Sequence, residues 1–169
     1  MQGEASLFME MCITRDKMIQ EIYNFNEISP QLSTAGMPTR EQFQEIAQAG
    51  FEEVIDLSLK ESVNHLPDEA ELVQSLGMGY HHIPVIWEAP KLEDLEKFFQ
   101  TMMNHPGRKV FVHCVANYRA SVFTYLYRVL LQNEEQMKAQ KDLLRIWKPN
   151  GTWLSFIQQA LEAYTGKSK

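Results

Sequence analysis

Cysteine is scarce in this sequence, and its scarcity excludes two kinds of architecture. Only Cys12 and Cys114 occur in 169 residues, too few for a disulfide framework and without the spacing of a zinc site. Such usage fits a reducing compartment, and a cytoplasmic location is expected. Basic charge is also short: 16 Lys and Arg face 22 Asp and Glu, a formal charge of −6 with a pI near 5.4. No basic cluster stands out against this balance, so nucleic acid is not an expected partner. No apolar run approaches the roughly 20 residues that span a bilayer, and no membrane partner is expected. The first residues carry no basic region, and Glu4 and Glu10 break their apolar run, which argues against a signal peptide.

What is there suffices for one globular domain. The chain is 44% hydrophobic and 22% charged, enough apolar matter to bury a substantial core. Residues 22–169 are read as that domain. Residues 1–21 are read as an N-terminal extension, helix or tail, carrying Leu7, Phe8, Met11, Met18 and Ile19.

Strand and helix signals alternate along the domain. Short extended pieces are expected from Ile22 and from Gln31, before a turn at Gly36, Met37 and Pro38. Thr39 with Gln42 forms a capping box that opens a helix with Phe43, Ile46 and Ala47 inward, closed by Gly50. Phe51 to Leu57 gives a buried strand, Pro67 to Gly77 a helix, Tyr80 to Ile86 a strand, and Lys91 to Met103 an amphipathic helix. Val110, Phe111 and Val112 form another strand. Helices follow at Ala120 to Gln132, Glu134 to Trp147 and Trp153 to Tyr164, the last two joined by a turn that its tryptophans pack. Such alternation predicts an α/β fold: a mainly parallel central sheet flanked by helices on both faces. Ligands of such sheets gather at the C-terminal strand ends, which puts Asp56, Ser58 and the Trp87-Glu88 loop on one rim with Cys114.

The stretch from Lys109 to Ser121 carries the chemistry. It runs strand, tight loop, helix, so the loop ends where unpaired N–H groups and the helix macrodipole stabilise negative charge. A thiol at such a position, near a guanidinium, favours the nucleophilic thiolate. The N–H groups of Val115, Ala116, Asn117 and Tyr118 can cradle a tetrahedral oxyanion while Arg119 grips two of its oxygens. Histidines 81 and 82 alternate across a strand and cannot share one metal, so both read as structural.

His113-Cys114 followed closely by Arg119 at a strand-to-helix turn resembles the signature of the cysteine-dependent protein tyrosine and dual-specificity phosphatases, H-C-x5-R-[ST]. Ser-Pro-Gln-Leu-Ser-Thr-Ala-Gly-Met-Pro-Thr from Ser29, Leu-Pro-Asp-Glu-Ala from Leu66 and His-Ile-Pro-Val from His82 are similar to a bacterial branch of small phosphatase-like proteins. The resemblance covers about Ile22 to Tyr164. It implies a cysteine phosphatase-like fold and hydrolysis of phosphomonoesters through a phosphocysteine on Cys114, with phosphorylated substrates and phosphate or sulfate as ligands, and neither cofactor nor metal. It further implies that His113 supports the loop through its ring nitrogens, that Ser121 assists departure of the sulfur, and that a carboxylate on the loop before the cysteine strand serves as general acid. Glu88 is the nearest candidate for that role; Asp94 sits a turn into the next helix.

This sequence departs from the signature. Four residues separate Cys114 from Arg119, and none is glycine. In one register Arg119 fills the arginine position and the loop is one residue short, which keeps Tyr127 aligned with a tyrosine common in dual-specificity phosphatases. In the other the loop has full length and Ala120 stands at the arginine position. Asn117 tolerates the left-handed backbone that glycine supplies elsewhere. Two other functions stay open: a phosphate- or sulfate-binding module without turnover, and a sulfurtransferase using the same thiol, with Cys12 as a conceivable resolving partner.

Overall fold

A computed structural model describes residues 2–166, leaving aside the side chains of residues 2–4 and 12–17; the reading of Cys12 as a resolving thiol therefore falls outside the described residues. The elements run α1 (Gln2–Ile19), β1 (Asn26–Ser29), β2 (Leu32–Ala35), α2 (Arg40–Gln48), β3 (Glu53–Asp56), α3 (Glu69–Ser75), β4 (Gly79–His82), α4 (Leu92–Asn104), β5 (Val110–His113), α5 (Tyr118–Leu130), α6 (Gln136–Ile146) and α7 (Gly151–Thr165). The five strands form one sheet in the order β1-β2-β5-β3-β4. Strands β1 and β2 pair antiparallel; β2–β5, β5–β3 and β3–β4 are parallel. This is the α/β architecture expected from the alternation.

Side-chain alternation sends β3 and β5 into two cores. Ile55, Val110 and Val112 face the core built with Leu95, Phe98 and Phe99 of α4, Phe123 and Leu126 of α5, and Trp153 and Phe156 of α7. Val54 and Phe111 face the opposite core, with Phe43 and Ile46 of α2 and Val73 of α3. The central strands are buried on both sides, as parallel strands under helices must be. Beneath α1, Ile19 and Ile22 join the second core, whereas Leu7, Phe8, Met11 and Met18 are exposed.

Several boundaries differ from expectation for identifiable reasons. The capping box of α2 forms as read: Gln42 N donates to Thr39 Oγ1 and Thr39 N to Gln42 Oε1. The expected strand at 80–86 ends at His82, because Pro84 has no N–H to donate to the ladder. The piece from Ile22 is a turn that ends at Phe25, with Asn24 at φ 50°, so the first strand starts only at Asn26. Helix α5 begins at Tyr118, two residues before its expected start, which puts Arg119 in the first helical turn.

Candidate active site

Strand β5 delivers Cys114 to the C-terminal edge of the sheet, and the chain then turns sharply into α5. Asn117 makes that turn, at φ 68° in the left-handed region. Its side-chain amide donates to Asn24 O at 2.8 Å and to Thr34 Oγ1 at 3.0 Å, both within the buried base of the loop. Asparagine thus supplies what glycine would, positive φ at modest cost, and adds two hydrogen bonds that glycine could not make.

The loop is also held from behind. Met37 N donates to Val115 O at 3.0 Å, and Asn24 Nδ2 donates to Ala116 O at 3.0 Å. In a trans peptide the N–H points opposite to the carbonyl. With Val115 O turned back to Met37, the Ala116 N–H is turned to the front, the side of the first-turn N–H groups of α5. Gly36 makes this backing possible: a Cβ there would lie 2.7 Å from Val115 O and 2.8 Å from the Tyr23 ring.

A shallow cleft of about 320 Å³ opens on that front side, lined by Trp87, Cys114, Val115, Ala116, Tyr118 and Arg119. Cys114 is 1% exposed and Arg119 7%. Arg119 Nη1 donates to Val85 O at 2.7 Å, which anchors the guanidinium at one corner and leaves its side-on pair, Nε and Nη2, as a fork. Ala120 is fully buried in the core. The arginine that reaches the cleft with Cys114 is therefore Arg119, across the four-residue spacing.

Aromatic rings wall the cleft. Tyr118 and Trp147 stack at 4.7 Å with planes 14° apart, and Trp87 lies against Tyr118, Trp147 and Trp153 at 5.3 to 6.0 Å. Each such pair contributes on the order of 1 kcal/mol beyond burial. Trp153 Nε1 donates to Trp87 O and Trp147 Nε1 to Tyr118 O. The tryptophans of the α6–α7 joint thus do more than pack a turn: they hold Trp87 and Tyr118, which line the cleft. Ser121 Oγ donates to Tyr118 O at 2.9 Å and accepts from Trp147 Nε1 at 3.1 Å, so its hydroxyl is engaged on the Trp147 side.

Glu88 is exposed, in the turn beside Trp87. Among the described residues no carboxylate lines the cleft, and Asp94 lies within α4. Asp56 ends β3 on that rim, paired with His113 of β5, and its carboxylate is fully buried. Its Oδ1 accepts from Ser58 N and Oγ, and its Oδ2 from Tyr80 Oη, with His65 Nε2 at 3.1 Å.

Behind Cys114, His113 is fully buried, with Nε2 2.7 Å from Glu69 Oε1 and Nδ1 3.8 Å from Asp56 Oδ1. Its ring nitrogens face these carboxylates; Nδ1 makes no hydrogen bond. Support for the loop therefore passes through α3 and β3. Burial opposes a charge on the ring, but Asp56 and Glu69 outweigh it, and the Glu69 hydrogen bond and Cys114 add to them, so the imidazole is raised to about 9. Asp56 is the converse. Burial pushes it up, and His113 together with the Ser58 hydrogen bonds more than offsets this, leaving it below its ordinary value. The charged form of the ring next to Cys114 in the chain is thus favoured. Sequence reasoning missed Glu69 and Asp56 as its partners, and Asn24, Gly36 and Met37 as the backing of the loop. The Gly-Met-Pro turn was their only local signal.

A model of the family described as "DSP-PTPase phosphatase fused to NAD+ Kinase" matches residues 16–155. The chain belongs to this family. A protein of Shewanella putrefaciens CN-32 described as "Putative phosphatase (DUF442)" is 38% identical, with a TM-score of 0.78 over 86% of this chain and 96% of that one. The phosphatase Tk-PTP, in its active form, shares the fold at 18% identity, with a TM-score of 0.70 over 82% of this chain and 97% of its own. A "Beta-lactamase hydrolase-like protein" of Xylella fastidiosa is 27% identical over 107 residues, 62% of this chain. The DSP-PTPase chain spans about a quarter of that relative's length, 25%. Among the described residues no helix is long and apolar enough to cross a membrane.

Proposed function

We propose that this DSP-PTPase domain hydrolyses phosphomonoesters through a phosphocysteine. The observation that carries the reading is that Cys114 and Arg119 line one cleft although only four residues separate them. Cys114 Sγ attacks phosphorus, forming the S–P bond as the P–O bond to the leaving group breaks. The Arg119 fork and the N–H groups of the loop, from Val115 to Tyr118, hold the equatorial oxygens as charge builds on them. Water then attacks phosphorus, the S–P bond breaks and the thiolate returns. The aromatic wall of Trp87 and Tyr118 suits an aryl leaving group.

Protonation of that leaving oxygen is assigned to Glu88. Its turn has to fold over the cleft mouth, since the resting carboxylate stands outside it. Ser121 serves the second step once its hydroxyl hydrogen turns away from Tyr118 O; in the resting arrangement it braces Tyr118.

Hydrolysis of para-nitrophenyl phosphate by the wild type and by Cys114→Ser, Arg119→Ala and Glu88→Gln tests the reading. Loss in the first two, with a smaller loss in the third, supports it. A second reading is favoured by the absence of a carboxylate from the described cleft lining: a phosphate- or sulfate-binding domain without turnover. An inactive wild type that phosphate stabilises against heat, in an Arg119-dependent way, would move the conclusion there. A persulfide on Cys114 after thiosulfate would instead mark a sulfurtransferase.

A further inference from the structure

Two clusters of histidine and carboxylate lie outside the cleft, on opposite faces of β3. The one around Asp56, His65 and His82 is closed. Both Asp56 oxygens are occupied as described, and His82 Nε2 lies 2.8 Å from Ser58 O. A carbonyl oxygen only accepts, so that nitrogen carries its proton and offers no lone pair.

The second cluster is open. Glu53 at the start of β3, His81 in β4 and His105 at the C-terminal end of α4 bring three ligand atoms within 4.8 Å of one another. His81 Nε2 lies 2.8 Å and His105 Nε2 3.8 Å from Glu53 Oε2. Both histidine side chains are 27% exposed, whereas that of Glu53 is 8% exposed. The carboxylate reaches its position by crossing over Gly79, where any Cβ would collide with Oε2.

The His105 tautomer is set. Its Nδ1 is 2.8 Å from Thr101 O and must donate to it, so in the neutral ring the lone pair is on Nε2, the nitrogen 3.8 Å from Glu53 Oε2. Such a carbonyl bond behind an imidazole is the usual outer support of a metal-binding histidine. Arg108 Nη1 approaches the other carboxylate oxygen, Oε1, at 3.9 Å and leaves Oε2 available.

We propose that Glu53 Oε2, His81 Nε2 and His105 Nε2 bind a divalent transition-metal ion, with Zn²⁺ as the representative ion, leaving a fourth position open to solvent. Two neutral imidazoles and one carboxylate suit Zn²⁺, Ni²⁺ or Cu²⁺ rather than the oxygen-seeking Mg²⁺ or Ca²⁺. Tetrahedral Zn²⁺ with bonds of about 2.0–2.1 Å sets its ligand atoms about 3.3 Å apart, between the two separations found here. On binding, His81 exchanges its Nε2–H for the metal and takes the other neutral tautomer, the proton passing through solvent to Nδ1. The ion ties the end of α4 to β3 and β4. It stands at the opposite end of β3 from His113, about 10 Å along the strand, and takes no part in the reaction at Cys114.

The full chain, freed of any affinity tag and stripped with a chelator, is titrated with ZnCl₂ by calorimetry, and Co²⁺ absorption reads the coordination. One equivalent per chain is expected at micromolar Zn²⁺. That equivalent persists in the Cys12→Ser/Cys114→Ser double variant and weakens at least about tenfold in Glu53→Gln, His81→Ala and His105→Ala. Histidine NMR of the wild type gives a reading independent of how the variants fold: His81 and His105 signals shift on adding Zn²⁺, while those of His65, His82 and His113 stay. No binding up to millimolar Zn²⁺, binding that survives all three ligand substitutions, or shifts confined to the other histidines overturns the proposal.

Discussion

Glu53 and Asp56 stand at the two ends of one four-residue strand, on opposite faces, each a buried carboxylate beside histidines. They differ in how completely their neighbours use them. Asp56 is surrounded by donors, Ser58, Tyr80 and His65, with the His113 ring close by. Glu53 meets two partly exposed imidazoles, one of them at 3.8 Å, and a guanidinium at 3.9 Å. A buried charge that is fully hydrogen-bonded becomes a rigid part of the core, and removing one partner strands the others. A carboxylate with a neighbouring imidazole nitrogen that no hydrogen bond engages is a place where something else can bind. The first arrangement backs the loop that holds Cys114; the second lies away from it.

This comparison can be broken at the loop first. Cys114→Ser should abolish aryl phosphate hydrolysis, and Arg119→Ala should lower kcat by about 10²–10³, whereas Glu53→Gln should leave it unchanged; steady-state kinetics on the three proteins decide. Activity loss in Glu53→Gln would show that the two ends of β3 are not separable.

Stability should divide the same way. Asp56→Ala leaves His113, Tyr80 and Ser58 without their acceptor, and a loss of about 3–5 kcal/mol is expected. Glu53→Gln keeps the shape of its site and an oxygen that can accept from His81, and should lose about 1 kcal/mol. Urea unfolding followed by tryptophan fluorescence measures both.

The pH dependence sharpens the contrast further. His113 is raised from 6.5 to about 9 in the folded protein, so the folded state binds its proton more tightly than the unfolded chain does. That stabilisation is fully present below pH 6.5 and is lost as pH rises to about 9, on the order of 3 kcal/mol. Asp56 works in the other direction. Its lowered value contributes stability above the ordinary 3.8, lost as pH falls through the folded value. Melting temperatures between pH 6 and 10 should therefore decline in the wild type. Asp56→Asn, which removes one of the charges that raise His113, should flatten the decline.

A narrower test concerns the turn. Asn117→Ala loses two hydrogen bonds and keeps the positive φ, and should cost about 2 kcal/mol. Asn117→Gly relieves the backbone and should cost about half as much, since only the hydrogen bonds go. If the two variants are equally stable, backbone conformation is not what asparagine contributes here.

The cleft was only partly legible from the chain. His113, Cys114 and Arg119 announce themselves because they lie within seven consecutive residues at a strand-to-helix change, and short-range spacing is what a sequence displays. Asn117 was readable for the same reason: its tolerance of positive φ is intrinsic. Glu69, Asp56, Asn24 and Gly36 were not, since each reaches the loop from a different element and none carries a mark of its own. Glu88 shows the opposite failure. Position along the chain places it beside the site, but its turn points it to solvent.

The sequence by itself determined the local elements, the alternation that makes the sheet parallel, and the presence of a nucleophile and a cation at a helix start, because period, capping and turn chemistry act over a few residues. Tertiary structure alone decided that Arg119 rather than Ala120 faces the cleft, that Asp56 and Glu69 raise His113, that Trp147 and Trp153 pack against Trp87 at the cleft, and that Glu53 meets His81 and His105. Those outcomes depend on which residues distant in the chain are packed together, since the balance of burial against charged neighbours sets the direction in which each buried group shifts.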